Sequence, residues 1–320
     1  MKIIEVNNLK KKFKDHYVVK GVTFDVTKGE IFGFLGKNGA GKTTTMNMLT
    51  GIILPSEGSF TIGGKTNQEI DQIKRIIGVM PDAANYYYDF TAIEHLIFFS
   101  KLKNLKMKKS DLLDILERVG LKGHEKKKVG SYSFGMKKKL GIAQAILGKP
   151  QVVFLDEPTS GLDPESAVEV QQLIKELSQE GMTIFLTSHN LVEVERICDR
   201  IAIMENGIIS KIGSMEELRA LHQRTIRLSI KIKKEDSFIA HSMKNHLVDH
   251  VSDVQAKDQY LYCYLYNEAD IPKLIHYLSG QNIDIYEVKT EKATLEDIFF
   301  DRASGDEIDM IKTCFLHFMD

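Results

Sequence analysis

The 320-residue sequence predicts an α/β fold built on a buried parallel sheet, followed by a smaller α+β domain. Three observations predict it. Short apolar runs at Ile31 to Leu35, Val152 to Leu155 and Thr183 to Thr187 have the length and composition of buried strands, and each ends in polar residues. The first run leads into Gly36-Lys37-Asn38-Gly39-Ala40-Gly41-Lys42-Thr43, a complete G-x-x-x-x-G-K-[ST] loop, and then into a helix start over Thr44 to Leu49. After about residue 222 the pattern changes to short period-two strands separated by two helical stretches.

The strand–loop–helix context makes the glycine-rich stretch a phosphate-binding loop. Glycines let the backbone turn tightly and aim successive N–H groups at phosphate oxygens, and the helix N-terminus adds positive potential. Gly36, Asn38, Gly39, Ala40, Gly41, Lys42, Thr43 and Thr44 are the candidate phosphate contacts. Lys42 is placed to reach the β- and γ-phosphates of a nucleotide, and the Thr43 hydroxyl to ligate Mg²⁺.

The second run ends in Asp156-Glu157-Pro158-Thr159. A carboxylate at the carboxyl end of a buried parallel strand sits beside the phosphate loop, so Asp156 is a candidate for the Mg²⁺ shell. Glu157, one residue further, is placed to polarise an attacking water. The third run leads to Ser188-His189, and a His just past a strand end can contact a γ-phosphate. Alone, His189 reads as a solvated side chain. The ordered set of loop, paired acids and His gives it a catalytic reading.

These residues in this order resemble the ATPase subunit of an ATP-binding cassette transporter, across residues 1 to about 221. The resemblance implies a P-loop NTPase cassette with a RecA-like core, an antiparallel β subdomain and a helical subdomain at about 85–150. It implies ATP as the nucleotide, Mg²⁺ as the metal, and Glu157 and His189 as catalytic residues. Phe13 falls where the family has an aromatic that stacks on adenine. Ser131-Tyr132-Ser133-Phe134-Gly135-Met136 falls where the family has its signature, and in the family the signature serine and glycine reach across a head-to-tail dimer to the partner's γ-phosphate. Ser133 and Gly135 are the matching residues, at the start of a helix expected over Met136 to Leu147 with Leu140, Ala143, Ala145 and Ile146 as its packing stripe.

Two positions depart from the family pattern. Phe134 replaces the first signature glycine and Met136 the terminal Gln, a form similar to the branch that exports antibiotics, antimicrobial peptides and related amphiphiles. After Ile77-Gly78-Val79-Met80-Pro81 the family usually has a Gln that ligates Mg²⁺ and senses the membrane partner. This chain has Asp82, an oxygen donor of shorter reach, which the resemblance makes a metal ligand.

Composition limits the classes available. The net charge of −1 gives no basic bias towards nucleic acid. Cys198, Cys263 and Cys314 are scattered without metal-ligand spacing and read as reduced thiols. The N-terminus reads as a strand rather than a secretory signal, and no apolar run approaches the roughly 20 residues that span a bilayer. A transport ATPase of this kind needs separate permease subunits and a cytoplasmic, peripheral position at the bacterial membrane; whether its ATPase dimer is homo- or heterodimeric stays open. Lysine runs at Lys101 to Lys109, Lys126 to Lys128 and Lys137 to Lys139 read first as solvated helix faces, and second as a surface for anionic headgroups or a membrane subunit. Ala92, Leu96, Phe99 and Leu102 form one expected helical stripe. Tyr86, Tyr87, Tyr88 and Phe90, in the loop before it, suit either a protein contact or inward packing.

The C-terminal part reads as an accessory domain over 222–304 and a tail over 305–320. A strand at Ile226 to Ile232, a helix at 237–247, a weak strand at 249–256, a strand at Tyr260 to Tyr266, a helix at about 268–279 and a strand at about 282–289 give a β-α-β-β-α-β order, the ferredoxin-like pattern. Four tyrosines alternate along Tyr260 to Tyr266, read either as a contact surface or as packing under the last helix. Ala293 to Phe299 resembles a closing helix of many bacterial export ATPases. The tail carries amphipathic apolar pairs and no chemistry.

Together these residues imply an ATP-hydrolysing subunit that dimerises on ATP and drives an exporter. A soluble mechanical ATPase acting on ribosomes is disfavoured by the single cassette, and one acting on DNA by the 114 positions between Lys42 and Asp156, too few for an inserted coiled coil. A nucleotide-dependent regulator without turnover is disfavoured by the presence of both Glu157 and His189.

Overall fold

A computed structural model describes residues 1–82, 86–222, 226–233, 251–265 and 267–291. The helices read at 237–247 and 293–299, Tyr266, Cys314 and the tail lie outside the described residues. The chain divides into two compact units, Met1–Ser214 and Met215–Asp320. The division falls seven residues before the boundary read from the sequence.

In the first unit, β1 (Lys2–Phe13) and β2 (His16–Thr27) form a long hairpin, joined by β4 (Glu57–Ile62) and β5 (Lys65–Thr66) in an antiparallel sheet of order β2-β1-β4-β5. β1 buries Ile4, Val6 and Leu9 and exposes residues between them, as expected for a sheet wet on one side. The second sheet has order β10-β9-β3-β8-β7-β6, with β3 (Ile31–Leu35), β6 (Ile77–Met80), β7 (Val152–Asp156), β8 (Thr183–Ser188) and β9 (Arg200–Glu205) parallel and β10 (Ile208–Ser214) antiparallel at the edge. Every residue of β3, β7 and β8 is buried, which is why these strands read as unbroken apolar runs.

Phe24, Phe32, Phe34, Phe154 and Phe185 gather between the two sheets, with neighbouring ring centroids 5.3 to 6.1 Å apart. A buried Phe stabilises by about 1.5–3 kcal/mol, so this cluster anchors the strand that feeds the phosphate loop. The pairings Leu35↔Ser188, Asp156↔Thr187 and Met80↔Leu155 bring the strand ends level. Ligands of parallel sheets bind beyond such an edge.

Helix α1 (Lys42–Leu49) follows the loop; α2 (Ile70–Ile76) precedes β6; α3 (Ala92–Leu102), α4 (Lys109–Arg118) and α5 (Phe134–Ala145) fill the helical region. Thr91 caps α3 reciprocally with Glu94, a sequence-coded start. Ala92 and Leu96 are buried there, but Leu102, the last residue of the helix, is 66% exposed, so the expected stripe ends a turn early. Helix α5 starts two residues before the expected Met136, because Ser133 is its N-cap. It lies close against β6: a Cβ on Gly78 would collide with the Ala145 carbonyl, so glycine sets the helix–strand distance. Helices α6 (Pro164–Gln179) and α7 (Leu191–Ile197) follow β7 and β8.

In the second unit, α8 (Met215–His222) precedes β11 (Ile226–Ile232), β12 (Val251–Lys257), β13 (Tyr260–Leu265) and β14 (Ile285–Glu291), in the antiparallel order β12-β13-β11-β14. With β11 as the first strand this is the order of the split βαβ pattern. The inward residues Leu228, Ile230, Leu261, Cys263 and Leu265 meet Leu274 and Leu278 of the helix Ile271–Gly280. Tyr260, Tyr262 and Tyr264 occupy the other face, half-buried, with Tyr260 stacked on Tyr262 at 6.1 Å and Arg227 over the Tyr262 ring.

Candidate functional site

The phosphate loop hangs between β3 and α1. Gly36 donates its N–H to the Ser188 carbonyl at 3.3 Å, tying the loop to β8, and a Cβ at Gly36 would strike the Met204 carbonyl. Gly41 holds φ +108° as the α1 N-cap, a conformation an L side chain rarely adopts. A Cβ there would lie 3.1 Å from the Val18 carbonyl oxygen, so the β1–β2 hairpin runs beside the loop. Phe13 sits at the tip of that hairpin opposite His16, 47% exposed, with the Lys11 ammonium 5.1 Å from its ring centroid. Asn38 and Gly39 are exposed, Ala40 and Gly41 buried, and Thr44 half-buried in the first turn.

Lys42 is almost fully buried. Its ammonium donates to the Gly36 carbonyl at 2.7 Å and lies 3.6 Å from Glu157 Oε1. Thr43 Oγ1 donates to Asp156 Oδ1 at 3.2 Å, so the two candidate metal ligands from separate motifs meet. The strand order puts β8 between β3 and β7, and β8 contributes directly: the Thr187 hydroxyl donates to the same Asp156 oxygen and accepts the Glu157 N–H at 3.1 Å. Sequence reasoning missed Thr187. Its signal is a hydroxyl at the carboxyl end of an otherwise apolar strand.

Glu157 has φ +49°, in the left-handed region, uncommon for a residue with a side chain. Its Oε2 lies 2.8 Å from His189 Nδ1. The carboxylate therefore stands between Lys42 and His189, mostly buried, while the imidazole is half exposed. Past His189, Asn190 caps α7 by accepting the N–H groups of Val192 and Glu193. Glu193 is buried, takes the Ser188 hydroxyl at 2.8 Å, and burial pushes its carboxyl above the ordinary range.

Ser133 and Gly135 stand on α5. Ser133 Oγ accepts the Met136 N–H at 3.2 Å, a cap worth about 1 kcal/mol. Gly135 lies against Ser166 at the start of α6, and Phe134 is exposed. These signature residues contact α5 and α6, apart from the Lys42–Thr43–Asp156–Glu157–His189 group.

Asp82 is joined to Lys138, not to the Thr43–Asp156 pair: Lys138 donates to Asp82 Oδ1 at 3.0 Å and to the Glu157 carbonyl at 2.8 Å. Lys138 is 4% exposed, which corrects the solvated-face reading of Lys137 to Lys139. Its neighbours are half-buried, Lys139 paired with Glu169 and Lys137 over the Tyr88 ring. Tyr86 turns inward, donating to the Lys137 carbonyl at 2.6 Å, while Tyr87 and Tyr88 stay exposed.

Among the described residues no cluster of three or more His, Cys, Asp or Glu could hold a metal alone. The Thr43 hydroxyl and Asp156 carboxylate still fit Mg²⁺, a hard cation that keeps waters and takes one or two carboxylates together with substrate phosphates.

The family model described as ABC transporter matches residues 19–160, and the model for the C-terminal domain of DrrA1-3-like ATP-binding proteins matches residues 213–303. The linearmycin resistance ATP-binding protein LnrL of Bacillus subtilis is 33% identical over 93% of this chain and 97% of its own length. The chain belongs to the ATP-binding cassette transporter family. The bacitracin transport ATP-binding protein BcrA of Bacillus licheniformis is also 33% identical, over 96% of this chain and 99% of its own. Among solved structures, an ATP-binding subunit of an ABC transporter superposes with TM-score 0.62 at 28% identity, covering 68% of this chain and 92% of that one. The ADP-bound cassette MJ1267 gives the same TM-score at 27% identity, over 68% and 92%. The chain is thus an ATP-binding, ATP-hydrolysing transporter subunit. No described helix is long and apolar enough to cross a membrane.

Proposed function

We propose that this cassette powers the export of an amphiphilic antibiotic or antimicrobial peptide through separate permease subunits, from a peripheral position on the cytoplasmic face of the membrane. The observation that carries its energy-coupling role is the Glu157 carboxylate held between the Lys42 ammonium and His189 Nδ1. Lys42 exchanges its bonds to loop carbonyls for the β- and γ-phosphates of ATP, releasing Glu157 to accept a proton from water. His189 orients that carboxylate and lies close enough to the strand edge to meet the γ-phosphate. Phe13 supplies the adenine platform, and Gly36, Asn38, Gly39, Ala40, Gly41 and Thr44 the phosphate cradle. Mg²⁺ held by Thr43 and Asp156 would neutralise developing phosphate charge.

Ser133 and Gly135 complete the site of a second cassette, so two chains close head to tail on ATP and reopen after hydrolysis. Anion binding at the exposed start of α5 suits that role. Export and the substrate class rest on the Phe134-Gly135-Met136 signature form and on relatives named for linearmycin resistance and bacitracin transport.

The test is drug susceptibility. A sensitive host expressing this chain together with its permease subunits should gain resistance to amphiphilic antibiotics or antimicrobial peptides, and a Lys42→Ala version should not. Equal susceptibility with and without the wild-type pair, across such compounds, would overturn the export assignment.

A further inference from the structure

Lys138 is a buried cation whose contacts tie three motifs together. A buried ammonium needs a counter-ion and hydrogen-bond acceptors to offset the loss of water. The Asp82 carboxylate, the Glu157 carbonyl and the face of the Phe134 ring, 5.6 Å away, supply both. The position follows from local packing. Lys138, Gly141, Ile142 and Ala145 share one buried face of α5 at i, i+3, i+4 and i+7 spacing, and Gly78 lets that face settle onto β6, whose end leads to Asp82.

The partner that matters is Glu157. Its φ of +49° must be held from outside. The N–H is gripped from β8 by the Thr187 carbonyl and hydroxyl, and the carbonyl takes Lys138 and the Ser160 N–H at 3.3 Å. A peptide fixed at both ends directs the side chain between Lys42 and His189. An Asp at position 82 matches this arrangement because a carboxylate neutralises the lysine, which an amide does not.

We propose that Lys138 is a positioning residue for the Glu157 carboxylate, and that Asp82 serves as its fixed counter-ion. The proposal rests on Glu157 being the group that handles water. Because Lys138 rides on the helix capped by Ser133, a shift of α5 reaches the Glu157 peptide directly, without passing through the nucleotide.

The full-length protein tests it through Mg-ATP hydrolysis, nucleotide affinity and Mg²⁺ titration. Lys138→Met, similar in length and apolar, should lower kcat by about ten- to a hundredfold with nucleotide affinity unchanged. Lys138→Arg should restore most of the rate. Asp82→Asn should lower kcat alone, add little in the Lys138→Met background, and leave the Mg²⁺ half-saturation in place. A wild-type kcat in Lys138→Met, additive effects of the two substitutions, or a shifted Mg²⁺ half-saturation in Asp82→Asn would overturn it, the last in favour of Asp82 as a metal ligand. If Lys138→Met does not fold, Asp82→Asn with Lys138→Arg decides, since position 82 is half exposed. Glu157→Gln separates the layers: wild-type turnover in it removes the water-handling role itself, whereas an inactive Glu157→Gln beside a fully active Lys138→Met removes only the role of Lys138.

Discussion

Glu157 Oε2 and His189 Nδ1 lie 2.8 Å apart, although 32 residues separate them and they sit at the ends of adjacent strands. The pairing of Asp156 with Thr187 sets this distance, because it levels β7 with β8 so that the next residues emerge side by side. With the Lys42 ammonium on its other oxygen, the carboxylate is bracketed on both sides.

Glu157→Gln keeps the volume and removes the base. ATP binding should persist, since Lys42, Thr43 and the loop are untouched, while turnover should fall by about 10²–10⁴-fold, the usual contribution of a positioned base. Closure without hydrolysis should trap an ATP-bound dimer visible by size exclusion. His189→Ala should lower kcat as well, because Glu157 loses its orienting partner. Wild-type rates in Glu157→Gln would end the base assignment.

The exposed start of α5 leads to a mixing experiment. Lys42→Ala removes the phosphate grip of one chain and Ser133→Arg blocks the signature of another, so each mutant alone should be inactive. A mixed dimer joins the intact loop of one to the intact signature of the other, and part of the activity should return. Mixed dimers shown to form yet as inactive as either parent would rule out action in trans.

Much of this site is visible in the sequence because its parts are local. Strands buried on both faces must be apolar along their whole length, so β3, β7 and β8 stand out, and the phosphate loop needs its glycines wherever it occurs. What the sequence conceals is lateral. The insertion of β8 between β3 and β7, which brings Thr187 to Asp156, depends on strand order. Lys138 is hidden for another reason: a three-lysine run resembles a solvated face until helical spacing groups its middle member with Gly141, Ile142 and Ala145. Leu102 shows the converse, since a periodic stripe does not reveal where its neighbour ends.

Glu193 provides a pH signature. It lies on α7, buried, with Oε2 on the Ser188 hydroxyl and Oε1 without a hydrogen-bond partner. Burial raises its carboxyl, the nearby Glu157 carboxylate adds to the rise, and the Thr159 and Ser188 hydroxyls and His189 oppose it. A carboxyl raised on folding binds its proton more tightly in the native state than in the unfolded chain. Its contribution to stability is therefore full at low pH, declines as pH climbs from the ordinary glutamate value of 4.5 to the raised native value, and is constant above that. Glu193→Gln removes this proton linkage and keeps the shape. Its Tm relative to wild type should therefore increase with pH, whatever fixed offset the amide introduces, when both are melted at intervals from about pH 5 to pH 8. A Tm difference that stays flat across that range would mean Glu193 is ionised in the native protein throughout, and that the Ser188 and Thr159 hydroxyls suffice to hold its charge.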